Sequence, residues 1–260
     1  MVQSDTKAIH YSETLEKGLR ILNLFNEESH GFTLTEISKS IGVNKTSVYR
    51  YINTFCELGY LRRESKTKLV RLGPVALALG HTFIQGSDLV GLIKPLVDEV
   101  HSKHNLHVDV ALLHGEAIYP VYRRETKETL AYRHFTTARG LHYLATGKAA
   151  LAFLNQAERE ALVQKLDLDS KTEKTIVNKE VLLRDLAQTR ERGYSINNEE
   201  FIPGLIALGA PLINLHTSKV VGGVSFDAST AHVALEGFEE KYSGLLVELA
   251  KKISAVIPQD

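Results

Sequence analysis

Residues 33–55 read TLTEISKSIGVNKTSVYRYINTF, and this stretch decides the fold of the N-terminal part of the chain. Thr33, followed three residues later by Glu36, is a capping-box pattern that begins a helix, and Gly42 ends that helix. Asn44 can cap a second helix immediately afterwards. Two short helices joined by about three residues predict a helix-turn-helix.

The second helix has one apolar face and one polar face. Val48, Ile52 and Phe55 recur at helical spacing and are expected to face inward. In a helix-turn-helix the N-terminal part of this recognition helix meets base edges in the major groove. The polar positions, together with one on the preceding helix, are the candidate DNA contacts: Thr35, Lys45, Thr46, Ser47, Tyr49, Arg50 and Asn53.

A basic hairpin follows the two helices. The β-prone runs 60–63 and 69–72 flank a polar stretch, and this pattern predicts a hairpin that makes the unit a winged helix. Residues 39–71 carry 8 basic and 2 acidic side chains, which is an electrostatic footprint for a polyanion. A solvated face on a small helical domain is the alternative interpretation of these charges. The hairpin residues expected to neutralise DNA phosphates are Arg62, Arg63, Lys66 and Lys68.

The rest of the chain predicts a linker and a mixed second domain. Further helices are expected over 12–28, 75–85, 88–104, 144–154, 158–166, 179–192 and 238–256, and strands over 106–113, 117–123, 208–214 and 220–226. Hairpin-linked strands imply a largely antiparallel sheet covered by helices, so the fold class is α+β. Three parts result: a winged helix-turn-helix DNA-binding domain over 10–73, a linker and dimerisation helix over 74–87, and an effector-binding domain over 88–258.

Composition narrows the functional class. The 260 residues carry 31 basic and 31 acidic side chains, so the net charge does not indicate which kind of partner the protein binds. The single cysteine, Cys56, excludes an intramolecular disulfide and fits a reducing compartment, so a cytoplasmic location is expected. No apolar run approaches the ~18 to 20 residues of a membrane span. No catalytic triad or carboxylate pair can be assembled from spacing, so we expect neither an enzyme nor a cofactor.

Two local patterns suggest other ligands and are set aside. His101, His104 and His107 recur every three residues, but they straddle a predicted helix end and have no cysteine or fixed carboxylate partner. We therefore expect solvated or core-edge roles for these histidines and no bound metal. The dipeptide at 147–148, Gly-Lys, lacks the other residues of a phosphate-binding P-loop.

Short motifs in both halves of the chain match one known family in order and approximate spacing. In the N-terminal half they are EKGLRIL (16–22), LTEIS (34–38), GVNKTSVYR (42–50) and LGYL (58–61). In the C-terminal half they are TGKAALA (146–152), RGYS (192–195), NEE (198–200), PG (203–204) and AP (210–211). Nearly the whole chain thus resembles the IclR-type bacterial transcription regulators. The resemblance implies a GAF-like effector domain that binds a small metabolite, commonly a carboxylate.

The candidate effector site combines a helix start with polar strand residues. Free backbone N–H groups at a predicted helix start can hold an anion, and here they belong to Ala145, Thr146 and Gly147. The resemblance places the other effector-binding positions at Asn197, Ala207, Leu208, Ser225 and Asp227. Asn197 stands where the family frequently has Asp, and Asp227 stands where it frequently has a small residue. An acidic Asp227 fits an anionic ligand if it bonds remote hydroxyl groups, which favours a sugar acid. Alternatively, Ser225 and Asp227 end a strand and satisfy local groups.

These features predict a cytoplasmic, metabolite-responsive transcription regulator of a catabolic operon. Its expected partners are double-stranded operator DNA, a small carboxylate effector and further copies of the chain in a homodimer or homotetramer, because helix-turn-helix proteins bind paired half-sites. Apolar residues of the connecting helix offer the dimer contact. Two alternatives stay open: a non-enzymatic metabolite sensor that acts through protein contacts, and an architectural DNA-binding protein, which the size of the second domain disfavours.

Overall fold

The computed structural model describes residues 11–26, 29–126 and 140–258. The chain forms two compact units, Met1–Gly86 and Ser87–Asp260, and each unit is described by itself. The predicted start of the first domain at residue 10 lies outside the described residues.

The first unit is a winged helix-turn-helix followed by a long helix. Its elements are α1 (Glu13–Leu22), α2 (Leu34–Ile41), α3 (Lys45–Glu57), β1 (Leu61–Arg63), β2 (Val70–Leu72) and α4 (Pro74–Gly86). Strands β1 and β2 pair antiparallel and form the wing. Helix α4 is the predicted connecting helix, and it is one residue longer at each end than the predicted range 75–85.

Local hydrogen bonds explain why α2 and α3 begin and end where they do. The Thr33 hydroxyl accepts a bond from the Glu36 backbone N–H (3.3 Å), and the Glu36 carboxylate accepts one from the Thr33 N–H (2.7 Å), which completes the capping box. Gly42 ends α2 with a left-handed φ of 69°. Asn44 then caps α3 by accepting from the Ser47 N–H (2.9 Å). The buried apolar core beneath these helices consists of Ile21, Ile37, Ile41, Val48, Ile52, Leu61 and Val70.

Helix α1 is shorter than its apolar spacing predicts. The predicted range 12–28 is wrong at its end, because α1 ends at Leu22; residues 27 and 28 lie outside the described part of the chain. The Asn23 N–H closes the last turn on the Leu19 carbonyl (3.1 Å). Phe25 then packs edge-to-face on Phe32, with ring centroids 5.3 Å apart. Tertiary packing of this ring therefore overrides the helical periodicity.

The second unit is built around one antiparallel sheet. Its elements are α5 (Asp88–His104), β3 (His107–His114), β4 (Ala117–Arg124), α6 (Ala145–Phe153), α7 (Gln156–Lys165), α8 (Lys179–Arg192), β5 (Ser195–Asn198), β6 (Leu205–Asn214), β7 (Lys219–Ser229) and α9 (Leu235–Ala255). The strand order is β4-β3-β7-β6-β5, and every neighbouring pair is antiparallel. The predicted α+β class and largely antiparallel sheet are confirmed.

Helices pack on both faces of this sheet. Helix α6 packs against β6 and β7 and contacts α8, which in turn contacts α7. Helix α9 also packs against β6 and β7, and α5 packs against α9 and β4. Because side chains alternate along a strand, Ala207 and Ser225 lie on the α6 face, whereas the fully buried Leu208 and Phe226 lie on the opposite face.

The first turn of α6 lies directly on the sheet because two strand positions are glycine. A Cβ atom at Gly209 would lie 2.2 Å from the Ala145 carbonyl oxygen, and one at Gly223 would lie 2.5 Å from that of Thr146. Any side chain at either position would push the start of α6 away from the strands. The two glycines thus place the start of α6 beside the polar residues of β7.

Strand ends differ from the sequence prediction. Strand β6 begins at Leu205 instead of 208, and β7 continues to Ser229 instead of ending at 226. Ser225 and Asp227 therefore lie inside a strand, and the alternative in which they end a strand is wrong. Strand β5 was not predicted, because its sequence SINN is short and mostly polar.

No single described helix is long and apolar enough to cross a membrane; α4 and α5 pass by length and composition only when taken together across Ser87.

Candidate functional site

The polar face of α3 is presented to solvent. Exposed side chains on this helix, together with one on α2, are Thr35, Lys45, Thr46, Tyr49, Arg50 and Asn53. Ser47 is half-buried, because it lies in the capped first turn. Val48 and Ile52 are fully buried on the opposite face, and Phe55 is half-buried beside them. The structure thus brings the sequence-predicted recognition residues together on one surface.

A cation–π contact joins this surface to the wing. The guanidinium carbon of Arg63 lies 4.8 Å from the centroid of the Tyr49 ring. Hydrogen bonds from Asn53 and Arg63 lower the pKa of the Tyr49 hydroxyl. A basic wing residue is therefore held beside the recognition helix, which single-residue sequence patterns do not reveal.

The other basic wing residues surround the tip of the hairpin. Arg62, Lys66 and Lys68 are exposed. The turn is closed by the Lys68 N–H, which donates to the Glu64 carbonyl (2.9 Å), while Lys68 adopts a left-handed φ of 62°. Exposed cations of this kind supply affinity and salt dependence in DNA complexes, whereas base contacts supply sequence choice.

The second unit contains a cavity of about 750 Å³, including its mouth, between the sheet and the start of α6. Of the predicted effector residues, the cavity is lined by Ala145, Thr146, Asn197, Ala207, Ser225 and Asp227. Two predicted residues do not line it. Gly147 packs against the Leu141 backbone, and Leu208 lies on the other face of the sheet because strand alternation turns it away.

The polar floor of the cavity follows from strand register. His107 on β3 pairs with Asp227 on β7, and Asp227 pairs with Ala207 on β6. Two residues further along, Asp109 on β3 lies between Arg123 on β4 and Ser225 on β7. Because cross-strand partners point to the same face, these side chains form two adjacent rows beneath the ligand space.

Four of these floor residues form a charged cluster. Nε2 of His107 lies 3.0 Å from Oδ2 of Asp109 and 3.6 Å from Oδ2 of Asp227. Arg123 donates to both oxygens of Asp109, from Nε to Oδ1 and from Nη2 to Oδ2 (2.8 Å). The Ser225 hydroxyl donates to Oδ1 of Asp227 (3.0 Å). Oδ1 of each aspartate is therefore held by a neighbour, and Oδ2 of each lies near the same imidazole nitrogen, with Oδ2 of Asp109 also bonded to Arg123.

Burial and the neighbouring charges shift the pKa values of these side chains in opposite directions. Burial, together with the nearby Asp109 charge, raises the pKa of Asp227 to about 6. Burial also acts to raise the pKa of Asp109, but hydrogen bonds and charges from His107 and Arg123 outweigh it and lower that pKa. Burial acts to lower the pKa of His107, but Asp109 and Asp227 outweigh it and raise that pKa. Of the two aspartates, Asp109 is thus the one whose ionised form is more strongly favoured.

Helix α6 begins at the cavity without a side-chain cap. Its N-cap residue is Leu144, which provides no side-chain hydrogen bond. The Lys148 N–H makes the bond that closes the first turn, to the Leu144 carbonyl (2.8 Å). The preceding N–H groups belong to residues 145–147. These groups have no partner within the helix, because the first N–H groups of any α-helix lack a preceding turn. This helix end can therefore accept an anion.

Asn197 supports the segment in front of α6. Its Nδ2 donates to the Tyr143 carbonyl, and its Oδ1 accepts from the Glu200 N–H (3.0 Å). The residue is 3% exposed, so most of its hydrogen-bonding capacity is used inside the protein. Asn197 lines the cavity but also fixes its wall.

A buried ion pair behind the helix start was not predicted. Lys148 on α6 is fully buried, and its Nζ donates to both Glu200 oxygens (2.8 and 2.9 Å) and lies 3.2 Å from Asp185. Burial raises the pKa of Glu200 even though the Lys148 charge opposes this shift. In the sequence Lys148 stands out only through the Gly-Lys dipeptide of an incomplete P-loop motif, which does not predict this structural role.

His107, Asp109 and Arg123 were also missed as cavity residues. His107 and Asp109 occupy alternate positions of HVDV, within a strand that is otherwise apolar. Two polar residues at a spacing of two place both side chains on one face of a strand, and this signal could have found them. Of the histidines expected in solvated or core-edge roles, His101 bonds the Leu106 carbonyl through Nδ1 (2.8 Å), while His107 is buried in the cavity floor beside Asp109 and Asp227.

The chain is similar to known transcription regulators over most of its length. The curated regulator BhcR of Paracoccus denitrificans is 29% identical over 241 residues, which cover 92% of this chain and 85% of BhcR. A crystal structure of an IclR family transcriptional regulator from Brucella abortus has a TM-score of 0.83 at 20% identity and covers 99% of this chain and 96% of that one. An IclR homologue from Microbacterium hydrocarbonoxydans, crystallised with 4-hydroxybenzoate, has a TM-score of 0.68 at 21% identity, with coverage of 94% and 98%.

Family models identify both parts of the chain. The IclR helix-turn-helix domain matches residues 14–65. The C-terminal domain of the bacterial transcriptional regulator IclR matches residues 81–255. The two models follow each other in the order of the two compact units, and the protein belongs to the IclR family of bacterial transcription regulators.

Proposed function

We propose that this regulator serves a catabolic operon and that a small hydroxylated carboxylate, bound in the cavity, controls its affinity for operator DNA. The uncapped start of α6 carries the proposal, because it opens onto a cavity that also contains Ser225 and Asp227. The recognition surface of α3 and the basic wing supply the DNA contacts. The protein acts in the cytoplasm as a regulator and not as an enzyme.

Electrostatics orient the effector in the cavity. The helix start favours an anion at Ala145 and Thr146. The Asp227 carboxylate repels an anion and accepts hydrogen bonds from hydroxyl groups. A ligand that meets both demands carries its carboxylate at one end and hydroxyl groups at the other, as a sugar acid does. Its hydroxyl groups then face Asp227, Ser225 and Asn197.

Calorimetry with matched ligands tests this effector class on the full chain. Gluconate should bind, glucose should bind weakly because it lacks the carboxylate, and 4-hydroxybenzoate should bind weakly because it lacks the row of hydroxyl groups. Asp227→Ala should weaken gluconate binding by about 1 to 3 kcal/mol, since buried hydroxyl groups lose their acceptor. Glu116→Ala, on the exposed β3–β4 turn, is the control and should leave affinity unchanged.

Other outcomes separate the competing interpretations. Tight binding of 4-hydroxybenzoate without binding of gluconate would exclude the sugar-acid effector. Gluconate binding by a protein that holds its selected DNA no more tightly than random DNA would favour a sensor that acts through protein contacts.

We also propose that the protein is at least a dimer and that α4 provides the contact. No residue of α4 is buried within its unit, and Leu77 is 77% exposed, Leu79 58% and Phe83 55%. Exposed apolar surface of this extent favours association. Two recognition helices are also what a helix-turn-helix protein needs to bind paired half-sites.

A further inference from the structure

We propose that His107, Asp109 and Asp227 bind a divalent transition-metal ion, for which Zn²⁺ is the probe, on the floor of the effector cavity. We further propose that the hydroxyl groups of the effector complete the coordination of this ion. The second statement rests on the proposed function, whereas the first can be tested without any effector.

The spacing of the three ligand atoms fits one ion. Nε2 of His107 lies 3.0 Å from Oδ2 of Asp109 and 3.6 Å from Oδ2 of Asp227, and the three ligand atoms lie within 4.8 Å of one another. Zn²⁺ binds nitrogen and oxygen ligands at about 2.0 to 2.2 Å, so two ligands of a tetrahedral ion are about 3.4 Å apart. Small side-chain adjustments would bring all three atoms to this separation.

The surrounding groups orient both carboxylates as metal ligands. Ser225 donates to Oδ1 of Asp227 and Arg123 donates from Nε to Oδ1 of Asp109, so in each case Oδ2 is the oxygen nearest the imidazole. Arg123 also donates to Oδ2 of Asp109 (2.8 Å), which leaves that oxygen a further lone pair. Carboxylate ligands that are themselves hydrogen-bonded are typical of metal sites, because outer groups fix their orientation.

The negative charge of the described cavity residues also favours a bound cation. Among the residues that the structure describes, Asp109, Asp227, Glu125 and Arg123 are the charged side chains that line the cavity, while a metal-binding His107 is neutral. These three carboxylates and one guanidinium leave a formal excess of two negative charges in the described part of the wall. Buried charges are costly unless they are paired, and one divalent ion removes this excess.

The ligand chemistry selects the class of ion and explains how an anionic effector tolerates Asp227. One imidazole and two carboxylates suit Zn²⁺ better than Mg²⁺ or Ca²⁺, which prefer oxygen ligands alone. Three protein ligands leave at least one position open for an exogenous oxygen. Hydroxyl groups of a sugar acid can fill that position, while the carboxylate stays at the start of α6.

Zn²⁺ calorimetry on the full chain, after removal of metal with EDTA and dialysis, tests the ion site. The protein should bind one ion per chain in this site, and Asp227→Asn and His107→Gln should each weaken that binding at least tenfold. His114→Ala is the matched control, because His114 lies at the exposed end of the same strand, and it should bind as the parent does. Thermal unfolding checks that the variants fold, and Zn²⁺ should raise the midpoint of the parent and of His114→Ala by more than that of Asp227→Asn. Equal binding by the parent, Asp227→Asn and His107→Gln would overturn the proposal, as would no stoichiometric binding by the parent.

Gluconate titrations with Zn²⁺ and with EDTA separate the ion site from the proposed effector. Binding that is at least tenfold tighter with Zn²⁺ supports a metal-bound effector. Equal gluconate binding under both conditions keeps the proposed function and overturns the coordination of the effector by the ion. Zn²⁺ binding that depends on Asp227, without gluconate binding under either condition, supports the ion site and overturns the sugar-acid effector.

Discussion

At the scale of single residues, we expect the exposed surface of α3 to select the DNA sequence and the basic wing to add affinity. Arg50 is exposed on the polar face of α3, whereas Lys66 lies at the tip of the wing. An arginine that reaches a guanine does so through two hydrogen bonds, and a wing lysine beside DNA contacts phosphate. The two side chains should therefore give different kinds of defect when they are removed.

We predict that Arg50→Ala weakens operator binding by about 1 to 3 kcal/mol and relaxes the preference at one base position. Lys66→Ala should instead weaken binding to all sequences alike and reduce the slope of affinity against salt concentration. Fluorescence anisotropy with operator and mutated duplexes over a range of ionic strength measures both effects. Lys252→Ala, exposed in the second unit, is the control. Unchanged operator affinity in Arg50→Ala would contradict the assignment of the recognition surface.

At the scale of elements, the buried Lys148 ties α6 to the segment that follows β5. Removing one partner of a buried ion pair leaves an uncompensated charge, and this costs about 3 to 5 kcal/mol. We predict that Lys148→Ala lowers the free energy of unfolding of the second unit by this amount, since Glu200 stays buried without its cation. Urea unfolding followed by circular dichroism provides the measurement.

Two further variants test the cause of that loss. Lys148→Met combined with Glu200→Gln should be more stable than Lys148→Ala, because the buried Glu200 position is then neutral and only the partly exposed Asp185 loses its cation. Lys219→Ala removes an exposed lysine from β7 and should change stability little. Equal stability of Lys148→Ala and the parent would show that the pair contributes nothing to the fold.

The same elements explain how far the sequence could predict the structure. The capping box at Thr33 and the turn at Gly42 are local signals, so the helix-turn-helix was predicted in detail. The cavity floor depends on the pairing of β3 with β7, which is far away in the chain, and on a register shift in the β3–β4 hairpin, so His107 and Arg123 were not predicted, although HVDV carried a hint. Leu208 cannot share the cavity face with Ala207, because consecutive residues of a strand point to opposite faces of the sheet.

At the scale of the whole molecule, operator binding should depend on association through α4. Leu77→Asp combined with Ile84→Asp puts charges on the apolar surface of this helix, and we predict monomers with little operator affinity. Sedimentation velocity at micromolar concentration and anisotropy with operator DNA measure the two effects. Thr82→Asp adds a charge at an exposed polar position of the same helix and serves as the control. A monomeric parent protein at these concentrations would contradict the dimer.

Binding of the effector and binding of the operator should also change each other's affinity. A ligand shifts the DNA-binding equilibrium only by its differential affinity for the two states, typically about 1 to 3 kcal/mol, or about 5- to 150-fold. We predict that saturating gluconate changes operator affinity by such a factor and that saturating operator changes gluconate affinity by the same factor, because binding linkage is reciprocal. Anisotropy gives the first value and calorimetry gives the second. In Asp227→Ala the effect of the same gluconate concentration should fall, because the effector no longer saturates the cavity. Operator affinity that is identical with and without saturating gluconate would mean that this cavity does not control DNA binding through that ligand.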